Sequence, residues 1–426
     1  MIPRSAFNVE KPVYEIDERV YRRFPVHKQS FVTLGQKDTG QTGTMFWVGK
    51  MLAQAGFNIL SNTKGKSRLD YALDFGGNAL NMILGTYGMP NSQFLKWNPL
   101  FIPELLSENP IEMEPDRLTE LAKFASRVYG SDLVGVAGLD QRWVYSEDIS
   151  CKSFAFEDLF REDTSLNLKI KPIVFEEVTE PTETDDKFII PNSVDKSIVM
   201  AVAMNIDFIT TSPAVLASTA AEIGYSRMGI LAISMAEFIR SLGYVAIPCM
   251  NDTALSIPLA IDAGLGQIGR NGLLITPEYG PCVRLCKVLT NMPLIPDKPI
   301  DYGITDFCKQ CLLCASKCPS GSISFDKQSF EPVCENNNPG VNKWYLEPEN
   351  CLQFWQQNGT ACSNCISVCP FTSGFVAEQC VECESCDNPN GCSLQTVTFE
   401  RDKYGYSQRT TWGSKPVSCP LVRVGL

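Results

Sequence analysis

The chain has 426 residues, 44% of them hydrophobic and 20% charged. This ordinary globular balance supports roughly two to three cores and excludes disordered and low-complexity classes. A net charge of −11 argues against nucleic acid as a large partner, because phosphate binding needs a basic footprint. The 18 cysteines are too dilute for a small disulfide scaffold, and the 1 histidine, His27, rules out a His-rich zinc centre and leaves only itself for a His-based relay. Any metal chemistry must therefore run through thiolates.

Residues 1–117 are rich in aromatics and Gly/Pro turns, and their weak helical periodicity predicts loops and short helices. Arg22-Arg23 is followed by Pro25, His27 and Lys28 and not by an apolar stretch, so no export signal is read here. The expectation is a cytoplasmic protein or a mature chain whose signal has been removed. Pro115 opens a helix with Leu118, Leu121, Ala122, Ala125 and Val128 on one face, ending at Gly130. Leu133–Ala137 then reads as a buried strand. Residues 143–194 change character and include the acidic run 176–186, which reads as a solvated insertion. The apolar run 197–204 predicts a strand buried on both faces of an α/β sheet. Helices are predicted from a Ser212-Pro213 cap through 223 and again over 228–242. Strands follow at 244–249, 273–276 and 283–289. Residues 118–142 and 195–302 thus form one α/β core interrupted by the insertion. No apolar run reaches the about 18 residues of a membrane span.

From 303 to 373 the composition shifts to cysteine and proline. Cys308-x2-Cys311-x2-Cys314-x3-Cys318-Pro319 is the bacterial ferredoxin run for a [4Fe–4S] cluster, whose fourth cysteine usually ligates the other cluster. That predicts a partner motif, and Cys362-x2-Cys365-x3-Cys369-Pro370 supplies it, with Cys351 eleven residues before Cys362. Cluster one is assigned to Cys308, Cys311, Cys314 and Cys369, and cluster two to Cys318, Cys351, Cys362 and Cys365. Two such clusters form a one-electron wire. In the extension 374–426, Cys380, Cys383, Cys386 and Cys392 could hold a third metal or remain disulfides or free thiols. The other six cysteines have no ligand spacing and read mostly as small buried hydrophobes.

Gly264-Leu265-Gly266-Gln267-Ile268-Gly269 matches G-x-G-x-x-G, but 259–263 before it reads as a helix, which weakens a dinucleotide-binding reading. The block continues as Arg270-Asn271-Gly272-Leu273-Leu274-Ile275-Thr276-Pro277, through Gly280-Pro281 to Arg284. Joined to the double Cys-Pro region, it resembles the reductive dehalogenases of organohalide respiration, over roughly residues 115–375. The resemblance implies an α+β or α/β fold: a nitroreductase-like corrinoid-binding core followed by a two-[4Fe–4S] ferredoxin-like domain. It also implies a cobamide. No Asp-x-His-x-x-Gly motif is present to ligate cobalt from below, so the corrinoid is expected base-off. Met228, Gly264, Gly266, Gly269 and Asn271 are the expected cofactor-binding residues.

The resemblance further implies catalytic roles for Tyr225, Asn251 and Arg284. Exchange of a carbon–halogen bond for carbon–hydrogen needs two electrons and one proton, and Tyr225 would deliver the proton. An ordinary tyrosine pKa of about 10 makes it a reluctant donor, and the permanent cation of Arg284 would favour its ionised form. Asn251 would donate a hydrogen bond to halide or orient the substrate. The pocket wall should be small, dry and aromatic, drawn from Phe46, Trp47, Tyr87, Phe94, Trp97 and Trp355. An uncharged wall favours a chlorinated alkane or alkene. Implied partners are a low-potential electron donor and a small membrane anchor protein at the outer face of the cytoplasmic membrane, after twin-arginine export; a homodimer is allowed. The runners-up are an epoxyqueuosine-reductase-like enzyme, which the acidic charge disfavours, and a dicluster electron carrier, which leaves the residues before Cys308 without purpose.

Overall fold

The computed structural model describes residues 6–31, 33, 43–84, 109–150, 169–372, 398–400 and 407–409. Two helices, α1 (Gly43–Leu60) and α2 (Arg68–Leu84), occupy the region expected to hold loops and short helices. Their apolar faces are broken by glycines and finished only by tertiary partners. Thus Ser226 on a later helix donates its hydroxyl to the Gly77 carbonyl at 2.7 Å and accepts from the Asn81 amide at 3.1 Å. Helix α3 (Pro115–Val128) follows as the periodicity predicts, with Pro115 in its first turn.

A four-stranded antiparallel sheet forms the centre. In chain order its strands are β1 (Leu133–Gly138), β6 (Lys196–Ala203), β7 (Ala246–Cys249) and β8 (Val283–Thr290), and in space they run β1-β6-β8-β7. The β6 run is buried on both faces as expected, and the sheet that buries it is antiparallel throughout. Val199, Ala201, Leu285 and Leu289 point into one core, while Ile198, Met200, Cys286 and Val288 point into the other. The period of two along β8 therefore places Arg284 on the same face as Cys286, and Lys287 on the opposite one.

Between β1 and β6, four strands build a second sheet: β2 (Glu147–Ser150), β3 (Lys169–Glu176), β4 (Thr182–Glu183) and β5 (Phe188–Pro191), in the order β2-β3-β5-β4. The acidic run 176–186 is exposed or half-buried except at Pro181, as expected, whereas the rest of the insertion is partly core. β4 is exposed, but Trp143, Ile173, Phe188 and Ile190 belong to the main core. The 1 histidine, His27, is engaged by Glu147 at the edge of this sheet.

One helix, α4 (Val215–Ser241, 27 residues), replaces the two helices predicted over 212–242. Gly224, which reads as a break, is an interior residue of α4. A Cβ there would stand 2.9 Å from Arg284 Cγ, so glycine admits the arginine stem. Ser212 does not cap α4; Ala214 occupies the cap position. Instead the Ser212 hydroxyl accepts a 2.8 Å hydrogen bond from the Ser363 amide and lies 3.9 Å from Cys362 Sγ. Helix α5 (Ser256–Asp262) precedes the glycine-rich segment, as expected. Helix α6 (Pro348–Asn358) is tied back to the N-terminal helices by Lys66 Nζ on the Asn358 carbonyl at 2.7 Å and Tyr71 on the Gly359 carbonyl at 3.1 Å.

Candidate active site

Tyr225, on α4, is 8% exposed and belongs to the core on the Arg284 face of the sheet. Arg284 reaches it from β8, with the guanidinium carbon 4.8 Å from the ring centroid, a cation–π arrangement. Asn251, just beyond β7, donates its side-chain amide to the Tyr225 hydroxyl at 3.3 Å. The structure thus brings the three expected catalytic residues together from a helix, a strand and a turn. Since the tyrosine oxygen accepts from Asn251, its own proton is directed elsewhere.

The turn that carries Asn251 is held at three successive carbonyls. The Tyr145 hydroxyl donates to the Asn251 carbonyl at 2.9 Å. Lys287 Nζ donates to the Met250 carbonyl, to the Asp252 carbonyl at 3.1 Å and to the Ser256 hydroxyl at 3.2 Å. Lys287 pairs with Cys249 across the sheet, so the register itself delivers its ammonium beneath the turn. Burial drives the Lys287 pKa down, while Cys249 and Asp252 act in the other direction. Thr253, at φ 64°, completes the turn in a left-handed conformation, its amide held by Asp148 at 2.8 Å. A lone lysine on a strand gave no sequence signal for this role. Lys287→Met would take the ammonium away from the Met250 and Asp252 carbonyls, which keep only the Ser256 hydroxyl at 3.4 Å and the Ala254 amide at 2.7 Å, and is expected to cost about 1–3 kcal/mol, read by denaturant unfolding; an unchanged midpoint would refute the clamp.

The expected cofactor-binding residues are placed less uniformly. Met228 is 1% exposed and packs in the core with Leu231 and Met235. The glycines answer to the protein's own packing. A Cβ on Gly264 would lie 2.4 Å from the Lys298 carbonyl oxygen, and one on Gly266 2.1 Å from that of Ile275. Gly264 borders a cleft of about 310 Å³ with Arg127, Asp132, Glu278 and Lys298, and none of Tyr225, Asn251 and Arg284 lines it. Asn271 donates to the Cys365 carbonyl at 3.3 Å and so faces the cysteine loops.

Around Tyr225 one buried polar atom bears on the corrinoid. Among the described residues Asn81 Oδ1 has no hydrogen-bond partner, on the α2 residue whose amide meets Ser226. A buried acceptor of this kind calls for a donor, and the amide side chains of a corrin ring are such donors. The residues present fit that group.

The cysteines assemble into two sets. Cys369 lies among Cys308, Cys311 and Cys314, and burial raises its thiol well above the ordinary range. Cys351 lies beside Cys362 and Cys318, and Cys365 joins them. Burial pushes Cys308 up to about 11 and Cys314 and Cys351 up to about 12. At Cys318 burial also works upward, but hydrogen bonds from Ser320, Ser322 and Ile323 outweigh it and lower the pKa. Half-buried thiols grouped by four suit a cationic iron–sulfur core, which deprotonates its ligands outright. The apolar group Met204, Ala220, Ala221, Cys282 and Ile366 connects the Cys365 loop to the part of α4 next to Gly224. Of the cysteines without ligand spacing, Cys249, Cys282 and Cys286 are buried.

Of the expected pocket wall, Trp47 and Trp355 come together around Phe31, with ring centroids 6.0 and 6.1 Å from it. Trp355 sits one turn beyond Cys351 on α6. Phe31 carried no motif and was missed. Tyr87, Phe94 and Trp97, and the group Cys380, Cys383, Cys386 and Cys392, lie outside the described residues.

Residues 138–294 match the family model described as reductive dehalogenase subunit, and 307–373 match the 4Fe-4S dicluster domain. The tetrachloroethene reductive dehalogenase of Sulfurospirillum multivorans is 42% identical over 321 residues, covering 73% of this chain and 63% of that protein. The enzyme of the same description from Desulfitobacterium hafniense is 37% identical over 300 residues, 64% of this chain and 53% of its own length. The chain therefore spans between about half and two thirds of these relatives. Among solved structures, the catabolic reductive dehalogenase NpRdhA is 22% identical with a TM-score of 0.61, over 90% of this chain and 47% of that one. A second, described as a reductive dehalogenase suggesting a mechanism for B12-dependent dehalogenation, gives 21% and 0.60 over the same shares. At that identity the likeness is one of fold.

Proposed function

The chain belongs to the reductive dehalogenase family, and from that premise we propose that it replaces a carbon–halogen bond with carbon–hydrogen, Tyr225 supplying the proton. The observation that carries this reading is the convergence of Tyr225, Asn251 and Arg284 on a framework that also abuts eight grouped thiols. The overall change consumes two electrons and one proton and releases halide. A corrinoid, when bound, would supply low-potential cobalt for carbon–halogen cleavage, and the two clusters would supply electrons one at a time. Cys308, Cys311, Cys314 and Cys369 would hold one cluster, and Cys318, Cys351, Cys362 and Cys365 the other.

The chain's own residues account for the proton. Asn251 fixes the Tyr225 oxygen from one side, so the hydroxyl proton is presented to the substrate on another. Arg284, a permanent cation against the ring, steadies the negative charge left on the phenol oxygen after transfer. The base-off state of the corrinoid is supported by the engagement of the chain's 1 histidine, His27, with Glu147. The proposed substrate is a small chlorinated alkane or alkene, supported by the aromatic group Phe31, Trp47 and Trp355 and by the substrate in the names of the relatives. A low-potential donor, a membrane anchor protein and a station on the outer face of the cytoplasmic membrane complete the proposal.

The test is a panel of chloroalkanes, chloroethenes and chlorophenols given to enzyme reconstituted with corrinoid and iron–sulfur clusters. Halide release from the first two classes is the expected result. Turnover of chlorophenols alone would refute the substrate class, and absence of any halide release would refute the activity.

A further inference from the structure

The turn Gly269–Gly272 pushes two consecutive buried side chains, Arg270 at 2% and Asn271 at 4% exposure, into the cysteine region. They part there. Arg270 donates to the Cys308 carbonyl at 2.9 Å and to the Ser324 and Asp326 carbonyls at 2.8 and 2.9 Å. Its guanidinium lies 4.7 Å from the centroid of the Trp344 ring, and Trp344 donates its indole N–H to the same Asp326 carbonyl at 3.1 Å. Asn271 donates to the Cys365 carbonyl at 3.3 Å and accepts from the Leu273 amide at 3.2 Å. One dipeptide thus grips a ligand residue of each proposed cluster.

The two grips differ in charge. The thiols of Cys314, Cys308 and Cys311 are within electrostatic reach of Arg270. Its hydrogen-bond partners are neutral carbonyls, and among the described residues it forms no ion pair at 4.0 Å or less. A guanidinium keeps its charge when buried, and low local polarity strengthens that charge's effect. Asn271 brings only a dipole to the other set. Adding an electron to a cluster adds negative charge, which a fixed neighbouring cation favours; charge and hydrogen bonding near the cluster are known levers on its potential.

We infer that Arg270 raises the reduction potential of the cluster held by Cys308, Cys311, Cys314 and Cys369 selectively, so that the Arg270-Asn271 dipeptide both registers the two clusters and separates their potentials. This rests on the two-cluster assignment above.

The test is a spectroscopically monitored redox titration of the reconstituted holoenzyme with parallel iron analysis, on wild type, Arg270→Gln and Arg270→Lys. Two clusters in wild type are the precondition; iron for fewer would sink the assignment itself and not the role of Arg270. In Arg270→Gln with full iron, one midpoint is expected to fall while the other stays. The reduced-to-oxidised ratio of that cluster at fixed potential drops at least about tenfold, equivalent to about 59 mV for one electron. Arg270→Lys restores the charge and recovers more than half of the shift. Equal movement of both midpoints, or of neither, overturns the inference. If Arg270→Gln loses iron, Arg270→Lys decides: a retained separation supports the inference, and its collapse with full iron overturns it.

Discussion

Tyr225→Phe, loaded with corrinoid and iron to the wild-type level, is expected to lose about 10²–10⁴-fold in kcat for dehalogenation, the range for removal of a positioned proton donor. Little else should change. The phenyl ring still fills its place on α4 and still meets the Arg284 guanidinium, now 4.8 Å from the ring centroid. The hydrogen bond from Asn251 at 3.3 Å goes with the hydroxyl, a loss of about 0.5–1.5 kcal/mol of stability. Steady-state kinetics with cobalt and iron analysis on the same sample checks this. An undiminished kcat would remove Tyr225 from the proton-transfer step. A raised KM at unchanged kcat would make it a binding group only.

Cys351→Ser should lower iron from about eight to about four atoms per chain and abolish electron delivery. Cys351 is the instructive proposed ligand because its spacing is irregular, eleven residues before Cys362 and outside either Cys-Pro run. Its place comes from α6, which sets the thiol beside Cys362 and Cys318. Serine keeps the size and removes the soft thiolate, so the helix survives while the metal site does not. Cys334→Ser is the control. Cys334 is also half-buried, but it has no ligand spacing and should leave the iron untouched. Full iron in Cys351→Ser would mean that another residue completes the second cluster.

Much of this protein was legible in one dimension. The Cys-Pro runs, the helix opened by Pro115 and the apolar strand at 196–203 are local patterns, and ligand spacing and side-chain periodicity act within a few residues of chain. Gly224 shows where that reach stops. It reads as a helix break, yet it is an interior residue of α4, because the groove it leaves is filled by an arginine 60 positions later, Arg284. Helices α1 and α2 are similar: their faces are uneven in isolation and make sense only against α4 and α6. The direction of β-pairing also lay beyond the pattern, since burial on both faces is common to parallel and antiparallel strands once helices and loops cover the sheet.

The same division runs through the site. Residue types and spacing determined the two cysteine runs of a 4Fe-4S dicluster domain, and the resemblance named Tyr225, Asn251 and Arg284. Tertiary structure alone decided that Arg284 meets the Tyr225 ring and Lys287 the turn around Asn251, that Phe31 packs near both Trp47 and Trp355, and that Arg270 and Asn271 diverge to different cysteine loops. The physical reason is shared. A motif records what a few neighbouring residues do together, whereas a buried cation or an aromatic contact depends on where distant backbone is brought by packing, and no periodicity encodes that distance.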